Sequence, residues 1–294
     1  MKSRDLNRSR SHLKMIRSSS VIFVVSVVFS ALIPARARAS ALTELFSGPP
    51  APLAITKDFP AAGIKTVSAQ VDIGNISIHG VAGSTITARI SNDEPSACAV
   101  VMRAQGPVLR LSARGANRWF WQADRCRARI TVGVPSGAAV MASAGEGDVS
   151  VSGLAAGANV HVGSGNILLK GVSGALTAHD GRGLVAGSVG SSQVDAEVGD
   201  GSVALTGLVG SAQVNAGDGN VRLAWAKAPR LGSAAVKTGH GDVVLKFPQG
   251  TKVHASLASG LGRVVNELRD APGAPFSVSV AAGLGNVTVK KAGR

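Results

Sequence analysis

The chain has 294 residues, 45% of them hydrophobic, which excludes a disordered protein. Aromatic residues make up only 3%, Tyr is absent and 37 glycines are spread through the apolar stretches, so the core is expected to be Val, Ile, Leu and Ala. The formal charge of +14 invites a nucleic-acid reading, but the segment ending at Ala39 holds 8 of the 31 Lys+Arg and 1 of the 17 Asp+Glu; the rest, 23 against 16, nets +7 and gives no such reading.

That opening segment, Met1 to Ala39, reads as a secretory signal peptide. A basic stretch (Lys2, Arg4, Arg8, Arg10, Lys14, Arg17) precedes the 13-residue apolar run Val21–Ile33, followed by Pro34 and Ala37-Arg38-Ala39, with cleavage expected after Ala39. Thirteen helical residues span about 20 Å, against roughly 30 Å of hydrocarbon, so no transmembrane helix is expected after cleavage. There is no Cys near the cleavage site for lipidation and no Arg-Arg pair, which leaves ordinary export of a soluble chain. Residues 40–57 are small, apolar and Pro-rich and read as a linker, with the folded domain at 58–294.

Strand patterns begin at Ile64–Val71, and a Gly-Asn-Ile corner at Gly74 opens the coils, expected over 74–290. The stretch Thr85–Ala144 is irregular. It has alternating strands at Thr85–Ile90, Ala99–Met102, Val108–Leu111 and Arg129–Val134, and residues 91–128 read as a loop or hairpin projecting from the body. Cys98 and Cys126 lie in it. An even cysteine count in an exported protein allows one pairing, and a disulfide closing this loop contributes roughly 3 kcal/mol.

From Gly145 a pair of glycines one residue apart recurs with a constant period of 18, at Gly145/Gly147, Gly163/Gly165, Gly181/Gly183, Gly199/Gly201 and Gly217/Gly219. Intervals of 22, 21 and 23 follow, to Gly239/Gly241, Gly260/Gly262 and Gly283/Gly285. Two residues after each second glycine stands Val149, Ile167, Val185, Val203, Val221, Val243, Val264 or Val287. Period-two alternation puts Val149 and Val151 on one strand face and Asp148, Ser150 and Ser152 on the other. One coil cannot bury its apolar face alone; coils stacked in parallel at about 4.8 Å make a continuous interior. The reading is an all-β, single-domain parallel β-solenoid of about a dozen coils or fewer, each roughly 18–22 residues, with an irregular N-terminal third. A hexapeptide left-handed helix would need apolar residues at Ala155, His161, Ser173 and His179, so right-handed winding, the rule for parallel crossovers, is expected.

The string from Arg129, RITVGVPSGAAVMASAGEGDVSVSGLAAGANVHVGSGNILLKGVSG, resembles the bacterial DUF4097 family of β-strand-repeat domains, described as candidate adhesins. The resemblance covers roughly residues 64 to 290, departing at the Cys/Trp insertion and at Gly187, which takes a usual inward apolar place. It implies an extracytoplasmic parallel β-solenoid without an assigned enzyme activity.

Several residues are weighed as sites. Asn75, Asp148, Asn166, Asn220, Asp242 and Asn286 follow second glycines. Calcium-binding nonapeptide repeats need a glycine turn every nine residues with acid in each, so these six are expected to cap turn amides and stack coil upon coil, with no metal. Asp195 and Glu197 come closest to the paired acids of a polysaccharide-acting β-helix enzyme. His79, His161, His179, His240 and His254 show no ligand spacing and read as surface residues. Trp119-Phe120-Trp121, beside Arg118, either binds (a sugar ring, a partner or a membrane) or covers a solenoid end. Val287–Lys291 is expected to form the last rung, with Lys290 and Lys291 discouraging edge pairing. The expected function is an exported, non-enzymatic envelope or surface protein with an adhesin-like binding or structural role. No cofactor and no nucleic acid is expected; the sequence does not name the partner, for which an envelope polysaccharide or a protein are the candidates. The alternatives are a polysaccharide-acting β-helix enzyme and a periplasmic sensor or partner-docking protein.

Overall fold

The computed structural model describes residues 53–116 and 126–292; the expected signal peptide, most of the expected linker and the Arg118 to Trp121 cluster lie outside them. Among the described residues, regular structure is strand apart from a 3-10 turn at Pro95–Ala97, and no helix is long and apolar enough to cross a membrane.

The first coil is made by β2 (Thr66–Ile73) and β3 (Ile76–Val81), which follow β1 (Leu53–Pro60). Val67, Ala69 and Val71 face inward from β2, Ile76 and Ile78 from β3, and Gly74 turns the corner between them. The chain then passes through β4 (Thr85–Asn92), the hairpin β5 (Cys98–Gln105) and β6 (Val108–Gly115), and β7 (Ala128–Pro135) before β8 (Ala139–Glu146) and β9 (Val149–Ser152) form another coil. Pairing does not follow chain order. β2 lies between β6 and β8, and β3 between β7 and β9, all parallel, so the coil at 108–135 sits outside the one that precedes it. Antiparallel β5 on β6, β4 on β7 and β1 on β4 finish this end.

Two readings change here. A strand, not a linker, begins at Leu53: Ile55 and Phe59 stand opposite Ile90 and Ile86, whose buried side chains give the Pro-flanked segment an apolar face to join. Nor, among the described residues, does the β6 limb of the cysteine-bearing segment project. Leu109, Leu111 and Ala113 stand in register beside Val67, Ala69 and Val71 and are buried with them, because without β6 that side of the first coil would face water.

β10 (Gly157–Val172), β11 (Ala175–Val189) and β12 (Gln193–Leu208) run unbroken through their glycine corners; later coils divide into β13 (Ser211–Asp218) with β14 (Val221–Trp225), and β15 (Gly232–His240) with β16 (Val243–Phe247). The limbs before the corners stack into one wall and those after into a second. Ile76, Val149, Ile167, Val185, Val203, Val221 and Val243 form a single column in the second wall, each fully buried. The core is not purely aliphatic. Trp225 stacks on Phe247 at 4.3 Å, Phe276 meets both edge-on, and the Trp225 Nε1 donates to the Gly210 carbonyl at 2.8 Å.

The far end repeats the exchange of order. β17 (His254–Leu261) and β18 (Val264–Asn266) pair only with β19 (Phe276–Leu284) and β20 (Val287–Lys291), which also pair with β15 and β16. Val287–Lys291 is therefore the penultimate rung; β18 covers it only as far as Val289, so the outer side of Lys290 and Lys291 is left without a strand partner. Phe276, Val278 and Val280 are buried, whereas β17 offers Ala255 and Leu257, both partly exposed; the more apolar limb takes the place with neighbours on both sides.

The glycine pair has a steric cause. A Cβ on Gly163 would lie 2.5 Å from the Gly145 carbonyl oxygen, and one on Gly201, at φ +152°, would collide with the carbonyl of Gly183. Gly171, at φ +63°, has open space around it. Gly201→Ala is expected to cost about 3 kcal/mol or more, from collision plus strain, and Gly171→Ala about 1 kcal/mol, from strain alone. Urea unfolding of the two variants checks this, and equal losses would contradict the collision.

Candidate functional site

At the corners the side chains after the second glycines form a ladder. The Asn75 Oδ1 accepts from the Asp148 backbone N–H at 3.1 Å, and the Asp148 Oδ1 accepts from both the backbone N–H and the Nδ2 of Asn166 at 2.9 Å. It resumes at Ser202, whose Oγ accepts from the Asn220 N–H at 3.3 Å, and the Asn220 Oδ1 accepts from the Asp242 N–H at 2.9 Å. The Asp242 Oδ1 takes the Asn286 N–H at 2.8 Å, and the Asn286 Oδ1 the Arg263 N–H at 3.0 Å. All but Asn166 supply an acceptor to a neighbouring coil's corner amide, so those oxygens are engaged in holding turns. Between the two runs Leu184 occupies the equivalent position and offers none.

The outward face of the first wall carries a line of titratable groups. His161, His179 and Glu197 are stacked on successive rungs, with the His179 Nδ1 3.1 Å from Glu197. Asp195 stands two residues before Glu197 on the same outward face, opposite Thr177 and Gln213. Nearer the corners His240 pairs with Asp218, and Arg182 lies 3.9 Å from Asp200; His254 pairs with Asp270 beside the outermost rung. His79 is on the second wall, over Gly133, at a shallow depression of about 440 Å³ edged by Thr56, Thr87 and Thr131. Among the described residues no three His, Cys, Asp or Glu side chains converge closely enough to hold a metal ion. Hydrogen bonding to hydroxyl-rich ligands is the chemistry these open faces can offer.

Cys98 and Cys126 are joined by a disulfide with Cα atoms 4.9 Å apart, tying the start of β5 in the first wall to the entry of β7 in the second.

Residues 64–270 match the model of the Toastrack DUF4097 family. The chain belongs to that family. The sequence matches none of the curated proteins. Among solved structures, this Toastrack chain is similar to a candidate adhesin from Parabacteroides merdae (12% identity, 82% of this chain and 96% of that one, TM-score 0.39). It is also similar to a candidate adhesin from Bacteroides fragilis (17%, 82% and 97%, TM-score 0.37) and to a candidate lipid-binding protein from Parabacteroides distasonis (11%, 84% and 98%, TM-score 0.35). At these TM-scores nothing said of those proteins transfers to this one.

One residue of the Toastrack chain stands out inside the core. Asp180 takes an inward position in register between Val162 and Val198 and is only 3% exposed. Its Oδ1 accepts from the Arg182 N–H at 3.1 Å, while its Oδ2 is buried without a partner. The anomaly lies in the sequence pattern, as an acid at an inward place, but it shows only once the rungs are aligned. Burial pushes the carboxyl above its ordinary range; the Arg182 N–H and His161 pull it back, and Asp148 adds to the rise.

A raised folded-state value means that Asp180 contributes its full share of stability below the unfolded value of about 3.8 and loses it as pH climbs through the folded value. Asp180→Val, which continues the valine row of Val162 and Val198, is expected to remove that decline. It should raise stability at pH 7 by about 1–3 kcal/mol, read from unfolding curves at pH 4 and pH 7.

Proposed function

We propose that this chain is an exported, non-enzymatic protein of the cell envelope, at the periplasm or the cell surface, with an adhesin-like binding or structural role. The observation that carries the reading is the Cys98–Cys126 disulfide, since such bonds persist in oxidising compartments outside the cytoplasm. The basic and apolar leader at residues 1–39 agrees with it. The role follows from the walls. Their in-register backbone bonding holds long outward rows rigid, and those rows carry small, hydroxylic and amide side chains such as Ser150, Ser152, Thr177 and Gln213, suited to contact with a polysaccharide or another protein. Arg118, Trp119, Phe120 and Trp121 are the proposed binding patch, where aromatic faces and guanidinium charge serve sugar stacking.

Two measurements test this. Fractionation of cells making a tagged copy should place the shortened protein outside the cytoplasm, and a full-length cytoplasmic product would refute export. Binding of purified protein to envelope polysaccharides should weaken about tenfold in Trp119→Ala and Trp121→Ala without a fall in melting temperature. A large fall would make the cluster part of the core, and polysaccharide turnover lost on replacing Asp195 or Glu197 would make the protein an enzyme.

A further inference from the structure

The basic surplus of the chain is concentrated in the last coils. Residues 222–292 hold ten Lys and Arg against three Asp and Glu, whereas residues 127–221 hold four against seven. Part of that surplus stands in line on the outward face of the second wall, whose rungs here run β10, β11, β12, β14, β16, β20, β18. From β10 to β20 one outward row reads Leu168, Ala186, Ala204, Arg222, Val244, Thr288, and the next reads Lys170, Ser188, Thr206, Ala224, Lys246, Lys290. Neither row contains an acid.

Lys246 and Lys290 stand in register on neighbouring rungs about 4.8 Å apart, and Arg222 lies one rung before Lys246 and two residues back along the strand. Like charges directly across a strand pair are unfavourable, and among the described residues none of Lys170, Arg222, Lys246 and Lys290 makes an ion pair. Two acids border the rows without pairing with these cations. Asp242 belongs to the corner ladder, where its Oδ1 already takes the N–H and the Nδ2 of Asn286, and exposed Glu267 follows β18 on the outermost rung. The fold therefore holds three cations together on three neighbouring rungs, and an anion from outside relieves their repulsion.

We propose that this face of the second wall binds an extended acidic polysaccharide, which lies across the rungs with its carboxylate or sulfate groups on Arg222, Lys246 and Lys290 and continues to Lys170. The proposal rests on the reading of the chain as an exported polysaccharide binder; it adds a site apart from Trp119 and Trp121 and the charge of the glycan that the site takes. Charge complementarity selects the occupant, since an acidic polymer meets rows without acids. Lys170 and Lys290 are five rungs apart, about 24 Å, enough for a chain of several sugar rings. Ser188 and Thr206 stand between Lys170 and Lys246, with Thr288 on the strand of Lys290, and their hydroxyls match those of a sugar. The same hydroxyls would lose water against acyl chains, and in these rows the exposed large apolar side chain is Leu168, so the face suits a glycan better than a lipid surface.

Fluorescence anisotropy of labelled polygalacturonate and labelled dextran sulfate, each mixed with the intact exported protein, tests this and separates carboxylate from sulfate. At least one is expected to bind in about 50 mM salt and to weaken about tenfold by about 200 mM. Arg222→Gln and Lys246→Gln should each weaken that binding about tenfold. Their melting temperatures should not fall, because Lys246→Gln removes a repulsion with Lys290. Arg110→Gln, on β6 of the first wall, makes the same change in net charge and should bind as the wild type does. An equal loss in Arg110→Gln would reduce the effect to net charge and overturn the site. So would wild-type binding by Arg222→Gln and Lys246→Gln; if Trp119→Ala then abolished binding, the exported binder would stand without this site. A protein that holds neither acidic polymer nor neutral dextran fails on both counts. Protein held by phosphatidylglycerol vesicles and by neither acidic polymer would assign the face to a membrane instead.

Discussion

Every other feature depends on the approach of one coil's backbone to the next at the glycine corners. There the carbonyl of one turn points at the place where the following turn would carry a Cβ, as Gly145 does toward Gly163 and Gly183 toward Gly201. Only hydrogen fits. Once the corners nest, the limbs on either side have no freedom to slide, and the registers on both walls follow: Val149 beside Ile167 after the corner, Val160 beside Ala178 before it. A one-residue slip would turn a whole limb inside out.

The ladder of Asn and Asp oxygens is secondary to that nesting, and the coil that lacks it shows so. β11 has Leu184 at the ladder position, Gly187 in line with Leu169 and Leu205, and Asp180 among valines, yet it pairs in register with both neighbours. A coil with three departures persists because it is backbone-paired along most of its length on both sides, broken by a register shift between Lys170 and Val172. The extended side-chain columns distribute its deficit over adjacent rungs.

The repeat, the strand alternation and the inward columns were legible in the sequence because each has a local cause: a steric need for glycine and a period-two need for apolar residues. What was not legible depends on which coil lies beside which. Val287 and Val264 bear the same signature, and nothing in either states that Val287 is enclosed while Val264 is 43% exposed. The strand at Leu53–Pro60 escaped notice because its partner is antiparallel and it has no glycine corner. Trp225, Phe247 and Phe276 belong to three separate strands, and their contact appears only when the coils are stacked. The charge rows on the first wall likewise exist only across rungs. Of the six corner residues, spacing conveyed position; it could not convey that Asn75 would serve Asp148, 73 residues on.

The exchange of rungs at the far end bears on how the protein is made. Among the described residues β17 and β18 have no strand pairing with β15 and β16; their strand partners are β19 and β20, which follow them in the chain. A ribosome releasing this polypeptide from its first residue onward delivers the outermost rung before the rung that must hold it. Winding cannot then proceed in simple step with synthesis. The stretch from His254 to Asn266 has to wait, unattached, until β19 and β20 are free to settle between it and β15 and β16.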